Sequence, residues 1–157
     1  MDIVSIEKRS QMMTGIKAKN TRPEMAIRKR LHAVGYRYRL HGAKIPGKPD
    51  LVLKKYNALI FIHGCFWHGH TCDLFRLPKT RTEFWHNKIE ENRRRDDRVL
   101  TELLASGWRV AIIWECAIRG KNRINFDRLI DGLCEWIQSD RYFIEYAGKR
   151  NDTSETI

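Results

Sequence analysis

The sequence lacks any apolar run that approaches the roughly 20 residues needed to cross a bilayer as a helix. It also lacks a basic segment followed by an apolar run and a small-residue cleavage site, which is the pattern of a secretory leader. Internal repeats and low-complexity segments are missing as well. We therefore expect a protein of the cytosol with no membrane partner.

Cysteine is also scarce, with four in 157 residues. Two of the four, Cys65 and Cys72, lie among histidines, which does not indicate a disulfide scaffold. A chain of this length buries a real core without disulfides. The sequence therefore predicts a single domain over residues 1–157 in a reducing compartment.

Acidic residues are scarce in the first third of the chain. Residues 1–55 contain 14 Lys and Arg against 4 Asp and Glu, whereas residues 56–157 contain 16 against 15. Charge that served only solubility would be spread evenly. A polyanion explains the concentration better, because its phosphates release counterions when basic side chains bind them. The sequence therefore favours nucleic acid as the partner.

The hydrophobic patterns predict a small α/β sandwich with a mixed sheet. Helices are predicted from Thr21 to Gly35, from about Thr82 to Ser106, and from Asn125 onward. Strands are predicted over residues 36–41, 51–53, 58–62 and 108–114. At the ends of the chain, residues 1–19 suit a short helix or an arm that orders on a partner, and residues 139–157 suit a loosely held tail.

Two Thr–Glu pairs have capping-box spacing and mark helix starts: Thr21 with Glu24, and Thr80 with Glu83. By i+3/i+4 spacing, the inward stripe of the second helix is Trp85, Ile89, Asn92, Asp96, Val99 or Leu100, and Leu103. Asp96 therefore falls on an apolar face.

The densest chemistry lies in the stretch from His63 to Cys72. These ten residues contain three of the six histidines and two of the four cysteines, together with Phe66 and Trp67. A packed core alone does not require so many metal-ligating side chains. The stretch is therefore the main candidate for a metal or catalytic site.

Cys65, His70 and Cys72 lie close in sequence, and Cys116 follows a strand predicted to pair beside residues 58–62. Together they would make a closed Cys3His set, which prefers zinc because its ligands are soft thiolates and an imidazole. The alternative is that Cys116 is a buried apolar residue and that the loop histidines are solvated. We assign Cys134 to the core of the last helix.

A closed four-ligand site has no position for a water, so we expect the zinc to be structural. His63 and His68 are then left for chemistry. Pro49-Asp50 is followed by a strand, a turn and a second strand that ends in Phe61-Ile62-His63. This order has the layout of restriction-endonuclease-like nucleases. In that superfamily a Glu/Asp-x-Lys triplet ends the second strand, and here Phe61-x-His63 takes its place.

Several motifs closely resemble those of the very short patch repair (Vsr) mismatch endonucleases. They are Phe61 to His68 with His70-x-Cys72, Thr80 to Trp85, Trp108-Arg109-Val110, and Trp114 to Ala117. The resemblance runs from about Arg9 to Trp136, nearly the whole chain. It implies a restriction-endonuclease-like three-layer sandwich with a central mixed sheet and a structural zinc site.

The resemblance also implies Mg2+-dependent phosphodiester hydrolysis, for which carboxylate oxygen is the suitable ligand. Asp50 and the backbone carbonyl of Ile62, which stands where the family has threonine, would bind Mg2+. His68 would be the general base, because imidazole titrates near the working pH. His63 would assist at the phosphate or the metal waters, and Asp96 would orient a histidine or hold a metal-bound water.

Three acids have simpler explanations as well. Asp50 could cap a turn after Pro49, and Asp96 could be a buried, hydrogen-bonded helix residue. Glu24 is already explained by its capping-box spacing, so its place in the active site is implied by the resemblance alone.

Phe66, Trp67 and Trp85 are flat side chains that would wedge between base pairs. Met13 resembles the residue that the amino-terminal arm of the family places in the minor groove. Unstacking a base step costs about a few kcal/mol, and least where pairing is already poor, so a wedge favours a mismatch. Trp85 could instead be simply a core residue of the long helix.

The family acts on T:G mismatches that arise from deaminated 5-methylcytosine, nicks 5′ of the thymine and initiates very short patch repair. We therefore expect double-stranded DNA as the partner, with mismatch-repair and DNA polymerase proteins downstream, at the nucleoid in a bacterial cytoplasm. A nick in one strand of an asymmetric mismatch needs no twofold partner, so we expect a monomer.

Two other functions compete with this hypothesis. A zinc-stabilised DNA-binding module without catalysis would account for the charge, the aromatic residues and the metal ligands, but it leaves Asp50, His63 and His68 without a role. A zinc deaminase would need His-x-Glu and Pro-Cys-x-x-Cys, and neither is present.

Overall fold

The structure is a computed structural model that describes residues 21–149. In chain order, these residues form α1 (Arg22–Ala33), β1 (Arg39–Leu40), β2 (Leu51–Leu53), a 3-10 turn (Lys54–Tyr56), β3 (Ala58–His63), α2 (Thr82–Ala105), β4 (Arg109–Trp114), α3 (Glu115–Ile118), α4 (Phe126–Gln138) and β5 (Phe143–Tyr146). The predicted amino-terminal helix or arm, Met13 included, lies outside these residues. Among residues 21–149, no helix is both long enough and apolar enough to span a bilayer.

The strands form one mixed sheet in the order β1-β2-β3-β4-β5. The first three are antiparallel neighbours, with residues 41–50 connecting β1 to β2 and residues 54–57 connecting β2 to β3. Strands β3, β4 and β5 run parallel and are joined through helices. The central strands β3 and β4 are buried along nearly their whole length, as expected for strands covered on both faces. The predicted mixed α/β sheet is confirmed.

Helices cover both faces of the sheet and make three layers. Because successive residues of a strand point to opposite faces, each strand supplies both cores. The core against α1 and α4 includes Ile27, Leu31, Leu53, Ile60, Ile113, Leu129, Leu133 and Trp136. The core against α2 includes Leu59, Phe61, Leu103, Val110 and Ile112. The predicted three-layer architecture is therefore confirmed.

The first helix begins where the sequence predicts. The Thr21 hydroxyl oxygen accepts a hydrogen bond from the Glu24 backbone N–H at 3.3 Å, and Pro23 lies in the first turn. Gly35 follows the end of the helix at φ +108°, a left-handed conformation that glycine adopts without strain.

The second helix begins at Thr82, with Arg81 as its N-cap residue at φ +55° and without a side-chain capping hydrogen bond. The Thr82 hydroxyl instead donates to carbonyls of the preceding turn. The prediction that Thr80 caps this helix is therefore wrong. Burial of Ile89 and Leu103 confirms the predicted inward stripe.

The first strand is shorter than residues 36–41, which the alternating pattern predicted. Only Arg39 and Leu40 pair with β2, opposite Val52 and Leu51. His41 follows at φ +50°, a left-handed conformation that breaks the extended backbone.

The predicted loose tail is corrected for residues 139–149. Phe143–Tyr146 form β5, which pairs with β4 in the register Val110 with Phe143 through Ile113 with Tyr146. The pairing is stable because β5 supplies apolar side chains to both cores: Phe143 packs on the α2 side, and Ile144 on the opposite side. Residues 150–157 lie outside the described part of the chain.

Candidate active site and metal cluster

The start of β2 meets the end of β3 because these strands are antiparallel. Their register pairs Leu51 with Ile60, so Asp50, just before β2, lies beside the last residues of β3. The Asp50 carboxylate accepts a hydrogen bond from the Ile62 backbone N–H at 2.6 Å. The structure thus brings together the acid and the residue predicted to share a metal ion.

Glu24 reaches the same place from α1. Its side chain is buried, with 1% of its surface exposed. Its two carboxylate oxygens lie 3.1 and 3.3 Å from His41 Nε2, and one of them lies 3.5 Å from Arg28 Nη1. The Glu24 carboxyl also shares a hydrogen bond with Asp50. Glu24 therefore does more than begin a helix, because its side chain belongs to the acid cluster.

The Asp50 carboxyl is hard to ionise, because it is buried and lies next to the Glu24 carboxyl. Burial, the hydrogen bond with Glu24 and the Glu24 charge raise the pKa of Asp50 to about 8, and the bond from the Ile62 N–H offsets only part of the rise. A divalent cation would favour the charged form, because it compensates both the burial and the repulsion. Asp50, backed by Glu24, is therefore suited to hold a hard metal ion through oxygen.

His63 and His68 stack on each other where β3 ends. Their ring centroids are 3.8 Å apart and their planes differ by 4°. Burial, and secondarily the nearby His68 charge, lower the pKa of His63 well below its usual value, so His63 is neutral near pH 7. Asp96 Oδ2, on α2, lies 2.6 Å from His68 Nδ1. A carboxylate in this position fixes the ring orientation and leaves Nε2 of His68 to accept a proton.

These groups surround a cavity of about 150 Å³ between the sheet and α2. Its polar wall consists of Asp50, His63, His68, Asp96 and Lys48. The remaining wall is largely apolar, formed by Phe61, Val99, Leu100, Leu103, Val110 and Ile112. A carboxylate, two imidazoles and an ammonium group around one small cavity suit metal-assisted hydrolysis of a phosphate ester.

Cys65, His70, Cys72 and Cys116 converge into a second cluster. One donor atom from each lies within 4.8 Å of the others, and His70 Nδ1 is 3.6 Å from Cys65 Sγ and 3.5 Å from Cys116 Sγ. Backbone N–H groups donate to the sulfurs of Cys72 and Cys116 at 3.4 and 3.2 Å. The predicted set of four side chains is therefore assembled around one point.

The cluster suits a soft, tetrahedral ion such as zinc. Burial raises the pKa of the Cys65 and Cys116 thiols, so a bound cation is needed to turn them into thiolates. The N–H groups already directed at the sulfurs would stabilise that charge. Because four protein ligands leave no position for a water, the cluster is suited to a structural metal.

Two hydrogen bonds fasten the loop between β3 and α2 to the rest of the protein. The Cys65 backbone N–H donates to Glu115 at 3.3 Å, and the Asn92 side chain donates to the Trp67 carbonyl at 2.9 Å. Sequence reasoning missed both roles. The signals were present, since Asn92 is a polar residue on an inward stripe and Glu115 directly precedes a metal ligand.

The same loop lies directly against α2 at Gly69. A Cβ added there would stand 2.6 Å from a methyl carbon of Ile89, and the residue has φ +64°. Beside it, His70 stacks on Trp114 with 4.3 Å between ring centroids. The metal cluster and the catalytic cavity are thus held in one packed unit.

Phe66 and Trp67, which directly precede His68, form an aromatic cluster with Trp85 of α2. Centroid distances are 5.1 Å between Phe66 and Trp67, 5.7 Å between Phe66 and Trp85, and 5.8 Å between Trp67 and Trp85. All three are only partly buried. The structure thus gathers the predicted wedge residues of the described chain into one accessible patch.

A mixed sheet between helical layers, with an acid at the start of one strand beside the end of the next, defines the restriction-endonuclease-like class of nucleases. The model of the family "DNA mismatch endonuclease Vsr" matches residues 1–74. Two curated relatives, 45% and 50% identical to this protein, extend the match to 82% and 74% of the chain. The chain therefore belongs to this Vsr family and is a DNA endonuclease.

The similarity to curated relatives covers most of the chain. The DNA mismatch endonuclease Vsr of Escherichia coli (strain K12) is 45% identical over 129 residues, which cover 82% of this chain and 83% of that protein. The type II nicking enzyme V.XorIIP of Xanthomonas oryzae pv. oryzae is 50% identical over 117 residues, 74% of this chain and 86% of that protein. The type II nicking enzyme V.NmeAIP of Neisseria meningitidis is 46% identical over 120 residues, 76% of this chain and 86% of that protein.

Proposed function

We propose that the protein nicks one strand of duplex DNA 5′ of the thymine in a T:G mismatch, where deamination of 5-methylcytosine has occurred, and so initiates very short patch repair. The observation that carries the proposal is the convergence of Asp50, His63, His68 and Asp96 on one cavity. The aromatic cluster of Phe66, Trp67 and Trp85, two of which lie just before His68 in sequence, supports recognition of poorly paired bases. The names of the curated relatives, which are mismatch and nicking endonucleases, agree with this activity.

Asp50 and the Ile62 carbonyl are the proposed Mg2+ ligands, with Glu24 behind Asp50. When bound there, Mg2+ would supply positive charge to the phosphate and lower the pKa of a bound water. The Ile62 N–H bond holds Asp50 in a fixed orientation before any metal arrives. Such preorganisation reduces the cost of assembling the site at the moment of reaction.

His68 is the proposed general base toward the attacking water. Asp96 holds its Nδ1 at 2.6 Å, which directs Nε2 away from α2 and stabilises the imidazolium that forms. His63 stacks on His68 and is neutral, so it can donate a hydrogen bond to the phosphate or to a metal-bound water without adding a second positive charge.

Zinc bound by Cys65, His70, Cys72 and Cys116 is proposed to fix the loop that carries the catalytic and wedge residues. His68 lies between Cys65 and His70 in sequence, so the metal would restrain the backbone on both sides of the base. The structural metal would thereby set the geometry of the catalytic site.

Phe66, Trp67 and Trp85 are proposed to insert between base pairs, together with Met13 from the amino-terminal arm. Their mutual packing keeps these rings together before DNA binds. Insertion is easiest at a mismatch, because less pairing is lost there. We further propose action as a monomer in the bacterial cytoplasm, with mismatch-repair and polymerase proteins acting on the nick.

The test uses end-labelled duplexes that differ at one base, T:G against C:G, with Mg2+ or with EDTA. We expect a nick only in the T:G duplex with Mg2+. His68→Ala should lower the rate by about 10²–10⁴-fold, the usual contribution of a general base, whereas His32→Ala on the exposed end of α1 should not. Equal cutting of both duplexes would exclude mismatch specificity, and binding without cutting would indicate a DNA-binding module without catalysis.

A further inference from the structure

A buried carboxylate beside a second carboxylate needs groups that hold it in place. Glu24 is 1% exposed and lies against Asp50. Burying two acids side by side is costly unless each is hydrogen-bonded. His41 Nε2 lies 3.1 and 3.3 Å from the two oxygens of Glu24, closer than the guanidinium of Arg28 at 3.5 Å.

His41 also holds Asp50, through its backbone. Its N–H donates to the Asp50 carbonyl at 3.0 Å, one step beyond the last paired residues of β1 and β2. One residue therefore touches both acids, Glu24 with its side chain and Asp50 with its main chain. The spacing between the two carboxyls depends on where His41 lies.

His41 adopts a conformation that the chain would otherwise avoid. Its φ of +50° is in the left-handed region, which non-glycine residues rarely enter. This rotation ends β1 at Leu40, and the side chain crosses from the end of β1 to α1, where Glu24 lies. Backbone strain of this kind persists where the surrounding structure requires a particular side-chain position, and it is concentrated at functional sites.

From these contacts we infer that His41 is a positioning residue, which holds the Glu24 carboxylate against Asp50 and so sets the geometry of the Mg2+ site. The inference rests on the proposed function, because it concerns the metal site assigned there. His41 does not line the catalytic cavity, so it acts through the two acids. A partner that orients a metal-binding carboxylate typically contributes 10–100-fold to metal affinity, and we expect about that much from His41.

The experiment compares His41→Gln with His41→Asn in the zinc-loaded protein. Glutamine places its amide nitrogen about where His41 has Nε2, so it can still reach Glu24. Asparagine tolerates the left-handed backbone but is too short to reach. Both variants keep a polar side chain, and thermal unfolding checks that both remain folded at the assay temperature.

The main readout is titration of Mg2+ alone, followed by calorimetry, without DNA. We expect His41→Asn to weaken Mg2+ binding by about 10–100-fold and His41→Gln to stay within about threefold, since it restores the donor. His32→Asn on exposed α1 is the matched control. Unchanged Mg2+ affinity in His41→Asn, or equal losses in both variants, would overturn the positioning role.

A double-variant cycle shows whether His41 acts through Glu24. Glu24→Gln should weaken Mg2+ binding, and adding His41→Asn should cause little further loss, because the partner of His41 is already altered. Losses that multiply would contradict the inference. If the wild-type protein binds Mg2+ but does not nick a T:G duplex, the proposed function fails while this comparison still decides the role of His41. If the wild-type protein binds no Mg2+, the positioning role is overturned.

Discussion

Among single residues, Asp50 is the one whose ionisation affects both the stability of the protein and the proposed metal site. Its carboxylate is proposed to bind a metal ion, yet burial and Glu24 raise its pKa to about 8. The ordinary pKa of an unfolded Asp is about 3.9. Because the folded pKa is the higher one, the protonated carboxyl favours folding at low pH, and this contribution is lost as the pH rises from about 4 to about 8. Near neutral pH, the metal-free protein is therefore less stable than it would be with a neutral side chain at position 50, as is common where a functional group is held in a buried site.

Asp50→Asn should remove that loss. In the metal-free protein, raising the pH from 5 to 8 should lower the free energy of unfolding of the wild type by roughly 2–4 kcal/mol relative to that of the variant. The size follows because a pKa difference of one corresponds to about 1.4 kcal/mol. Urea denaturation at both pH values measures it, with Asp131→Asn on the exposed face of α4 as control. A difference between wild type and Asp50→Asn that does not change with pH would contradict the explanation. The variant should also lose nicking.

The site residues predicted from the sequence were those whose residue type and local sequence context indicate a chemical role. Asp50 follows a proline at the start of an apolar strand, and His63 and His68 remained after the zinc ligands had been assigned. His41 could not be found in this way. Its importance depends on a left-handed φ and on a contact with Glu24, which is 17 residues away in sequence.

At the scale of elements, Arg109 at the start of β4 holds the end of α4. Its guanidinium donates to the carbonyls of Trp136 and Ile137 at 3.1 and 2.8 Å, and to Tyr56 at 3.0 Å. The last carbonyls of a helix have no partner within the helix, and a cation there also offsets the helix dipole. Burial lowers the pKa of Arg109 from its usual value, but it remains charged near neutral pH.

Arg109→Met keeps the length of the side chain and removes the five donors. We expect a loss of about 2–4 kcal/mol in the free energy of unfolding, because the carbonyls of four residues, Tyr56, Trp136, Ile137 and Arg141, lose a charged donor. Urea denaturation gives the value, and Arg128→Met on the exposed side of α4 is the control. A loss no larger than that of the control would show that water replaces the guanidinium at no cost.

The loop between β3 and α2, which contains Cys65, His70 and Cys72, is the element whose assembly we expect to depend on a bound ion. Cys116→Ala should abolish binding of about one zinc per chain and lower the melting temperature, since structural zinc binding is folding free energy. Cys134→Ala removes the same atoms from a half-buried cysteine of α4 that is outside the cluster, and it should retain the metal. Metal analysis with thermal unfolding compares them. Full zinc content in Cys116→Ala would remove this cysteine from the ligand set.

Helices and central strands followed from sequence because their signals are local. Periodicity gave the buried side of α2, and a continuous apolar run gave β3. The strand β5 was missed because four residues at a sheet edge have no distinctive pattern, and only their pairing with β4 orders them. The start of α2 at Thr82 was predicted correctly, but its N-cap residue was not, because Arg81 adopts a left-handed conformation that its residue type does not indicate.

At the scale of the whole molecule, the sheet order creates the site. Antiparallel β2–β3 pairing brings Asp50 beside Ile62, the residue before His63. The parallel β3–β4 pairing, which aligns His63 with Trp114, places Cys116 next to the loop. The two helical layers then add Glu24 from one face and Asp96 from the other. The sequence indicated each residue type, but only the topology shows that residues 24, 50, 68 and 96 share one place.

The uneven distribution of charge along the chain is also a property of the whole molecule. The basic surplus is concentrated in residues 1–55, which include α1 and the hairpin that carries Asp50. Two of these basic residues lie near the acids, Arg28 beside Glu24 and Lys48 in the cavity wall. They would attract the DNA backbone and lower the repulsion between the acids and the phosphate.

The proposed strand-specific nick can be tested by mapping the cut on a doubly labelled T:G duplex. Each strand carries a different 5′ label, and the products with Mg2+ are sized to single-nucleotide resolution. We expect one product, from the thymine strand alone, cut immediately 5′ of the mismatched thymine. A cut in the guanine strand, cuts in both strands, or a position that does not move when the T:G pair is moved would contradict it.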